Sequence, residues 1–331
     1  MEMIHTLAIA TKHLKPGSVY QVLIGKRTAT TLFYAYQHDI EGLFALLPTL
    51  DKAVWEKATA NASIEEEIPD PFLWQLLSKR KGYIQPHEHQ MHQLSYRLLF
   101  QVLANSGKEQ HYVPMTHHVA VQQLVKYYLA HQQQAGVSIL ELKKILHLEL
   151  VQVLEQLPSP ALADALVSTL SGSGVNAWTP VQLIDALGLP KTMVRVLMTT
   201  LWDHFEWGVR TSDVSALQFF QYGVTQRFPA WNTSVARTKN LAQAGWTLEQ
   251  IADKRHLKES TIADHFVELL LDDPAWLKLQ LAEEMKQHPL PLNDHPPLQY
   301  RLYKEQFPNH PFWLYRYWQI LAKKRGEQAD V

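Results

Sequence analysis

The stretch from Thr247 to Leu270, TLEQIADKRHLKESTIADHFVELL, constrains the fold more tightly than any other. Thr247 is a helix-capping residue type, and Glu249 and Gln250 fall in the first turn after it. Ile251 and the small Ala252 give that helix an apolar side. The charged run Asp253, Lys254 and Arg255 closes it, and Leu257 falls in the turn. A second helix starts near Glu259. Its Ile262, Phe266 and Leu269 are spaced four and three apart, so one apolar face looks back at Ile251. Two short helices joined by a tight turn with one apolar residue make a helix-turn-helix.

The spacing recurs. Counted from the capping residue, Thr247 is followed at positions 4, 10, 15 and 19 by Ile251, Leu257, Ile262 and Phe266. Ser138 is followed at the same positions by Leu142, Leu148, Val153 and Leu157, and Thr179 by Leu183, Leu189, Val194 and Met198. Three ungapped copies suggest three helix-turn-helix-like units. The Thr179 copy is the better of the two echoes, because Pro180 suits a first helical position and Gly188 suits a turn.

The remainder is helical as well. The chain has 331 residues, only 13 of them glycine, and strand-like alternation is hard to find. The expected fold is all-α, a multi-helical array of helix-turn-helix-like units with a C-terminal helix-turn-helix domain. Pro158-Ser159-Pro160, the linker-like Ser171-Gly172-Ser173-Gly174 and the stretch near 230 are breaks. They suggest an N-terminal helical domain over 1–135, a middle helical domain over 136–230 and a C-terminal domain over 231–331. A further helix is expected from Asp272 to Met285. Near the start, helices flanking the basic turn Gly25-Lys26-Arg27-Thr28 read as an αα-hairpin.

The function classes this composition excludes are many. There is no cysteine, so disulfides and thiolate metal sites are out. His87-Glu88-His89-Gln90-Met91-His92 fails the zinc-protease pattern, because that motif needs a His four residues after the first and Met91 stands there. It reads as a solvated helix start. Lys79-Arg80-Lys81-Gly82 suits a helix C-terminus, or a phosphate contact. No phosphate-binding loop of the Gly-x-x-x-x-Gly-Lys-Ser/Thr type occurs, and no catalytic triad is spaced in the chain. Neither an enzyme nor a cofactor is expected. No apolar run is long enough to cross a bilayer, and Met1-Glu2-Met3 does not open a signal peptide, so a cytoplasmic protein without membrane contact is expected.

Net charge is −1, so the chain is no polycation. In a DNA-bound helix-turn-helix the first residues of the second helix reach base edges, while cations hold phosphates. That assigns Ser260, Thr261 and Asp264 to the bases, with Lys258 and His265 flanking them and Lys254 and Arg255 at phosphates. From Ser234 to Lys286, however, seven Lys/Arg face nine Asp/Glu. The better electrostatic footprint is the tail from Leu298 to Arg325, where six cations stand against Glu305 alone among interleaved aromatics. Arg316, Lys323, Lys324 and Arg325 are its candidate contacts, with Phe312, Trp313 and Trp318 as core.

The Thr247–Phe266 unit, the stretch Leu302-Tyr303-Lys304-Glu305-Gln306-Phe307-Pro308 and the closing Tyr315-Arg316-Tyr317-Trp318-Gln319-Ile320-Leu321-Ala322 together resemble the helix-turn-helix domain at the C terminus of some RecQ-family DNA helicases. The same domain ends the free-standing YpbB-like proteins, encoded beside a RecQ helicase gene in Gram-positive bacteria. Gly25-Lys26-Arg27-Thr28-Ala29-Thr30-Thr31-Leu32 is also similar to that family. The resemblance implies a nucleic-acid-binding accessory protein without chemistry of its own. Its implied partners are DNA (duplex, fork or single strand) and a RecQ-type helicase supplied in trans, in repair or recombination. The alternatives are a transcriptional regulator using the same motif and a protein-interaction scaffold.

Overall fold

The computed structural model describes residues 2–63, 66–80, 86–107, 112–229, 232–272, 286, 288–291, 296–297 and 299–329. The fold is all-α, and no strand forms among the described residues; Gly172 and Val175 make one isolated bridge. In chain order the helices begin with α1 (Glu2–Ala10), α2 (Pro16–Leu23), α3 (Ala29–Gln37), α4 (Lys52–Ala60), α5 (Pro71–Ser78) and α6 (Pro86–Asn105). They continue with α7 (Val119–Gln134), α8 (Ile139–Leu154), α9 (Pro160–Val167), α10 (Pro180–Leu187), α11 (Lys191–Thr211) and α12 (Ser215–Arg227). The last are α13 (Thr233–Gln243), α14 (Leu248–Arg255), α15 (Glu259–Asp272), α16 (Tyr300–Gln306) and α17 (Phe312–Ala329). The helix expected from Asp272 to Met285 lies almost wholly outside the described residues.

The chain forms two compact units. One joins Met1–Gly25 to Glu41–Ala230, and the other joins Lys26–Ile40 to Trp231–Val331. Helices α2 and α3, expected to pair as an αα-hairpin around Gly25, belong to different units. Gly25 itself has φ 73°, and a Cβ there would come within 2.6 Å of the Ala45 Cβ, so only glycine fits.

In the larger unit one apolar core runs from Leu76 on α5 to Val224 on α12. It passes through α6 to α11 without a break at 135–136. Tyr96, Trp202, Phe205 and Phe220 are its largest buried rings, meeting mostly edge to face. The 171–174 stretch is a turn inside this unit.

The echo at Ser138 does not make a turn. Ser138 caps α8 through Glu141 N–H at 3.2 Å, but the helix then runs through to Leu154, and Leu148 is 69% exposed. The echo at Thr179 does make one. Thr179 and Gln182 form a reciprocal capping box, Pro180 opens α10, and Gly188 ends it in the left-handed region at φ 63°.

The histidines at 89 and 92 are not solvated either. His89 and His92 are buried on α6. His89 Nε2 meets Asp203 Oδ1 at 2.5 Å, and Arg80 pairs with the same Asp203 and donates to the Gly42 carbonyl at 2.9 Å. His92 Nδ1 bonds Glu206 Oε2 at 2.9 Å, and its Nε2 bonds the Phe228 carbonyl at 2.8 Å. Arg80 is thereby spent inside the unit and offers nothing to phosphate.

Candidate nucleic-acid interface

In the smaller unit α13, α14 and α15 form a three-helix helix-turn-helix. Asn232 caps α13 through Val235 N–H at 2.9 Å. Thr247 and Gln250 form a capping box on α14, the same device as at Thr179. His256 closes α14 in the left-handed region at φ 52°, a conformation few side chains adopt, and Leu257 N–H returns to the Ala252 carbonyl at 3.0 Å. Ile251, Ile262, Phe266 and Leu269 are all buried, as their spacing predicts.

The second helix is not free along its length. Every residue from His265 to Leu271 is buried. α3 and α17 both pack on α15. Arg27, just before α3, donates twice to Glu268 Oε1, from Nε at 2.8 Å and from its terminal nitrogen at 2.5 Å. Phe266 meets Trp313 edge to face with ring centres 5.9 Å apart. Only the start of α15, with Glu259, Ser260 and Asp264, is exposed, and Thr261 is half-buried. Partial burial raises the Asp264 carboxyl above its usual range.

The expected contact residues divide accordingly. Lys254 and Lys258 are exposed, and the Lys254 ammonium lies 5.9 Å from the centre of the Trp246 ring. Arg255 instead ties α14 to α13. Its guanidinium donates to the Ser234 carbonyl at 2.8 Å, to Ser234 Oγ at 2.7 Å and to Thr238 Oγ1. Thr238 in turn bonds His265 Nδ1 at 2.8 Å. His265 is therefore an interior acceptor rather than a flanking contact. Burial, and next the charge of Arg255, bring it down to about 4, so it is neutral.

The tail is also partly consumed by packing. Arg316 lies over Phe33 of α3, 4.0 Å from the ring centre, and donates to Gln319 Oε1 at 2.9 Å; burial lowers its pKa. Lys323 bonds the Tyr36 carbonyl and Asp39 Oδ1, the latter at 2.7 Å. Lys324 is half-buried and Arg325 is exposed. Trp313 and Trp318 are core as expected, whereas Phe312 is 44% exposed.

A surface that sequence reasoning did not single out lies beside the turn. An open groove of about 540 Å³ is lined by Ser234, Arg237 and Asn240 of α13, Lys254 and Arg255 of α14, and Leu257. No acidic side chain lines it. Arg237 and Asn240 are both exposed, three residues apart on one helix face. That spacing was readable, but α13 looked like mere support for the motif.

A family model described as a helix-turn-helix domain matches residues 234–319. Protein YpbB of Bacillus subtilis (strain 168) is 27% identical over 199 residues, which is 57% of this chain and 55% of that protein. The chain is thus similar to YpbB over part of its length and carries a helix-turn-helix domain. It covers little more than half of the curated relative it matches. No solved structure matches the chain. A helix-turn-helix domain suggests nucleic-acid binding, and among the described residues no helix is long and apolar enough to cross a membrane.

Proposed function

We propose that this chain is a nucleic-acid-binding accessory protein that holds the phosphate backbone and performs no catalysis of its own. The observation that carries the reading is the groove between α13 and α14, lined by the exposed Arg237 and Lys254 with two polar side chains and no carboxylate, beside the Arg255 guanidinium that braces the two helices. Such a surface contacts phosphates, which position a protein without reading sequence. The charge at the exposed start of α15 speaks against the transcriptional-regulator alternative. A regulator reads bases with the first residues of its second helix, and here Glu259 and Asp264 place carboxylates there, which repel phosphate. The resemblance to domains attached to RecQ-type helicases supports a role beside such a motor in repair or recombination.

The test is binding to duplex, forked and single-stranded DNA across a salt series. Backbone binding predicts an affinity that falls steeply with salt and varies little with sequence. The double variant Arg237→Ala/Lys254→Ala should weaken binding and reduce the log–log salt slope by about 1.8 on duplex, roughly 0.9 per phosphate contact. Binding that is absent, or flat with salt, leaves the scaffold alternative. A helicase whose unwinding is unchanged by the protein would remove the accessory role.

A further inference from the structure

The larger unit contains a second helix-turn-helix, and its exposed chemistry is better suited to nucleic acid than that of the first. α10 and α11 repeat the geometry of α14 and α15, from the threonine capping box to the left-handed residue that ends the first helix. In the common register, Lys191, Thr192 and Arg195 stand where α15 has Glu259, Ser260 and Ala263. All three are exposed at the start of α11. The first turn of α15 offers the Glu259 carboxylate where the first turn of α11 offers the Lys191 ammonium, and Arg195 adds a second cation where α15 has Ala263.

These side chains rim a cavity of about 420 Å³ that α6 completes. That volume lies within the range of small-ligand sites. Its floor is apolar, with Leu183 and Met198, and Trp178 at its edge is 43% exposed. Arg97 of α6 also lines it. Arg97 donates Nε to the Thr169 carbonyl at 3.0 Å, and no carboxylate pairs with it among the described residues. Burial lowers its pKa. A half-buried cation without a counter-charge is costly, and an anion in the cavity relieves that cost. No acidic residue lines the cavity, so three cations face it uncompensated.

We infer that this cavity receives one nucleotide unit of a single strand, with the base held against Trp178 and the apolar floor and the phosphate held by Arg97, Lys191 and Arg195. A flat apolar base and an anionic phosphate match the two halves of the lining. A base stacks its face on Trp178 only when it is free of its neighbours in a duplex, which favours an unpaired strand. The inference rests on the nucleic-acid-binding reading and adds a site in the other unit.

The test uses the full chain with three probes: labelled oligothymidylate, a duplex, and thymidine 5′-monophosphate. Lys191→Ala/Arg195→Ala changes two exposed residues and should weaken oligothymidylate binding about tenfold or more. It should also reduce the salt slope by up to about 0.7, the value for one phosphate of a single strand. Trp178→Ala should weaken binding at least about fivefold with the slope unchanged, because stacking carries no counterion term. Monophosphate binding without strand binding keeps the cavity as a nucleotide site while the backbone reading of the protein fails. Loss of strand binding in Arg237→Ala/Lys254→Ala, with both cavity variants like wild type, overturns this inference and leaves the proposed function standing. Duplex binding weakened by the charge variant but untouched by Trp178→Ala overturns the single-strand assignment. A wild-type chain that binds none of the probes overturns both.

Discussion

His92 and His265 are both buried, and their surroundings push them in opposite directions. Burial disfavours the charged form of His92, but the Glu206 carboxylate, the Phe228 carbonyl and Asp203 outweigh it and lift the imidazole to about 8. Its pKa is higher folded than unfolded. The contribution is therefore full below about 6.5 and is lost as pH rises through 8, an effect of about 2 kcal/mol. His265, held neutral at about 4, behaves inversely. Its contribution is present above about 6.5 and is lost as pH falls toward 4. His92→Gln should flatten the decline in unfolding free energy between pH 6.5 and 8.5, read by urea denaturation at a series of pH values; a decline as steep as in wild type refutes the assignment. The histidine-rich stretch was conspicuous in the sequence, but its chemistry was not. The partners Asp203 and Glu206 lie 114 residues away from His89 and His92 respectively, and no local pattern announces such a pairing.

At the scale of elements, the three echoes show what a spacing can and cannot carry. In a single helix, at about 100° per residue, positions 4, 15 and 19 share a face while position 10 falls well away from it. Leu142 and Val153 are buried and Leu148 is exposed, as one continuous helix requires. The apolar positions are thus compatible with a helix as well as with a turn, and the stop signal decides. Around Leu148 the chain has no glycine, proline or asparagine, so α8 continues. At Thr179 it has Gly188, and the helix breaks there. The unit at Thr247 breaks without a glycine, at His256. His256→Gly should therefore raise stability by up to about 1 kcal/mol by removing a left-handed penalty, while Gly188→Ala should cost about 1 kcal/mol. Urea midpoints of the two variants check this. Midpoints that move together in one direction would refute the common geometry. The contact face of the motif was less legible than its core. Apolar spacing located Ile262, Phe266 and Leu269, but the cover over the rest of α15 comes from α3 and α17, which are remote in sequence.

At the scale of the molecule, the smaller unit is discontinuous. The family model matches 234–319, yet α3, some two hundred residues earlier, supplies part of that unit's core. Leu32, Phe33 and Tyr36 are buried, the Tyr36 hydroxyl donates to the Ile320 carbonyl at 3.3 Å, and Arg27 neutralises Glu268. Burying three large side chains stabilises by about 1.5–3 kcal/mol each, which is comparable with the whole stability of a small domain. Removing Arg27 also leaves the buried Glu268 carboxylate without its counter-charge. A fragment of residues 231–331 should therefore unfold without a cooperative transition and bind a hydrophobic dye. A synthetic peptide of residues 26–40 added in trans should restore the transition, at a midpoint that rises with peptide concentration. Phe33→Ala in that peptide should weaken the rescue by about 3 kcal/mol or more, since it removes both a buried ring and the aromatic face beneath Arg316. Cooperative unfolding of 231–331 alone, at a stability the peptide does not change, would show that α3 is an accessory rather than a part of the helix-turn-helix domain.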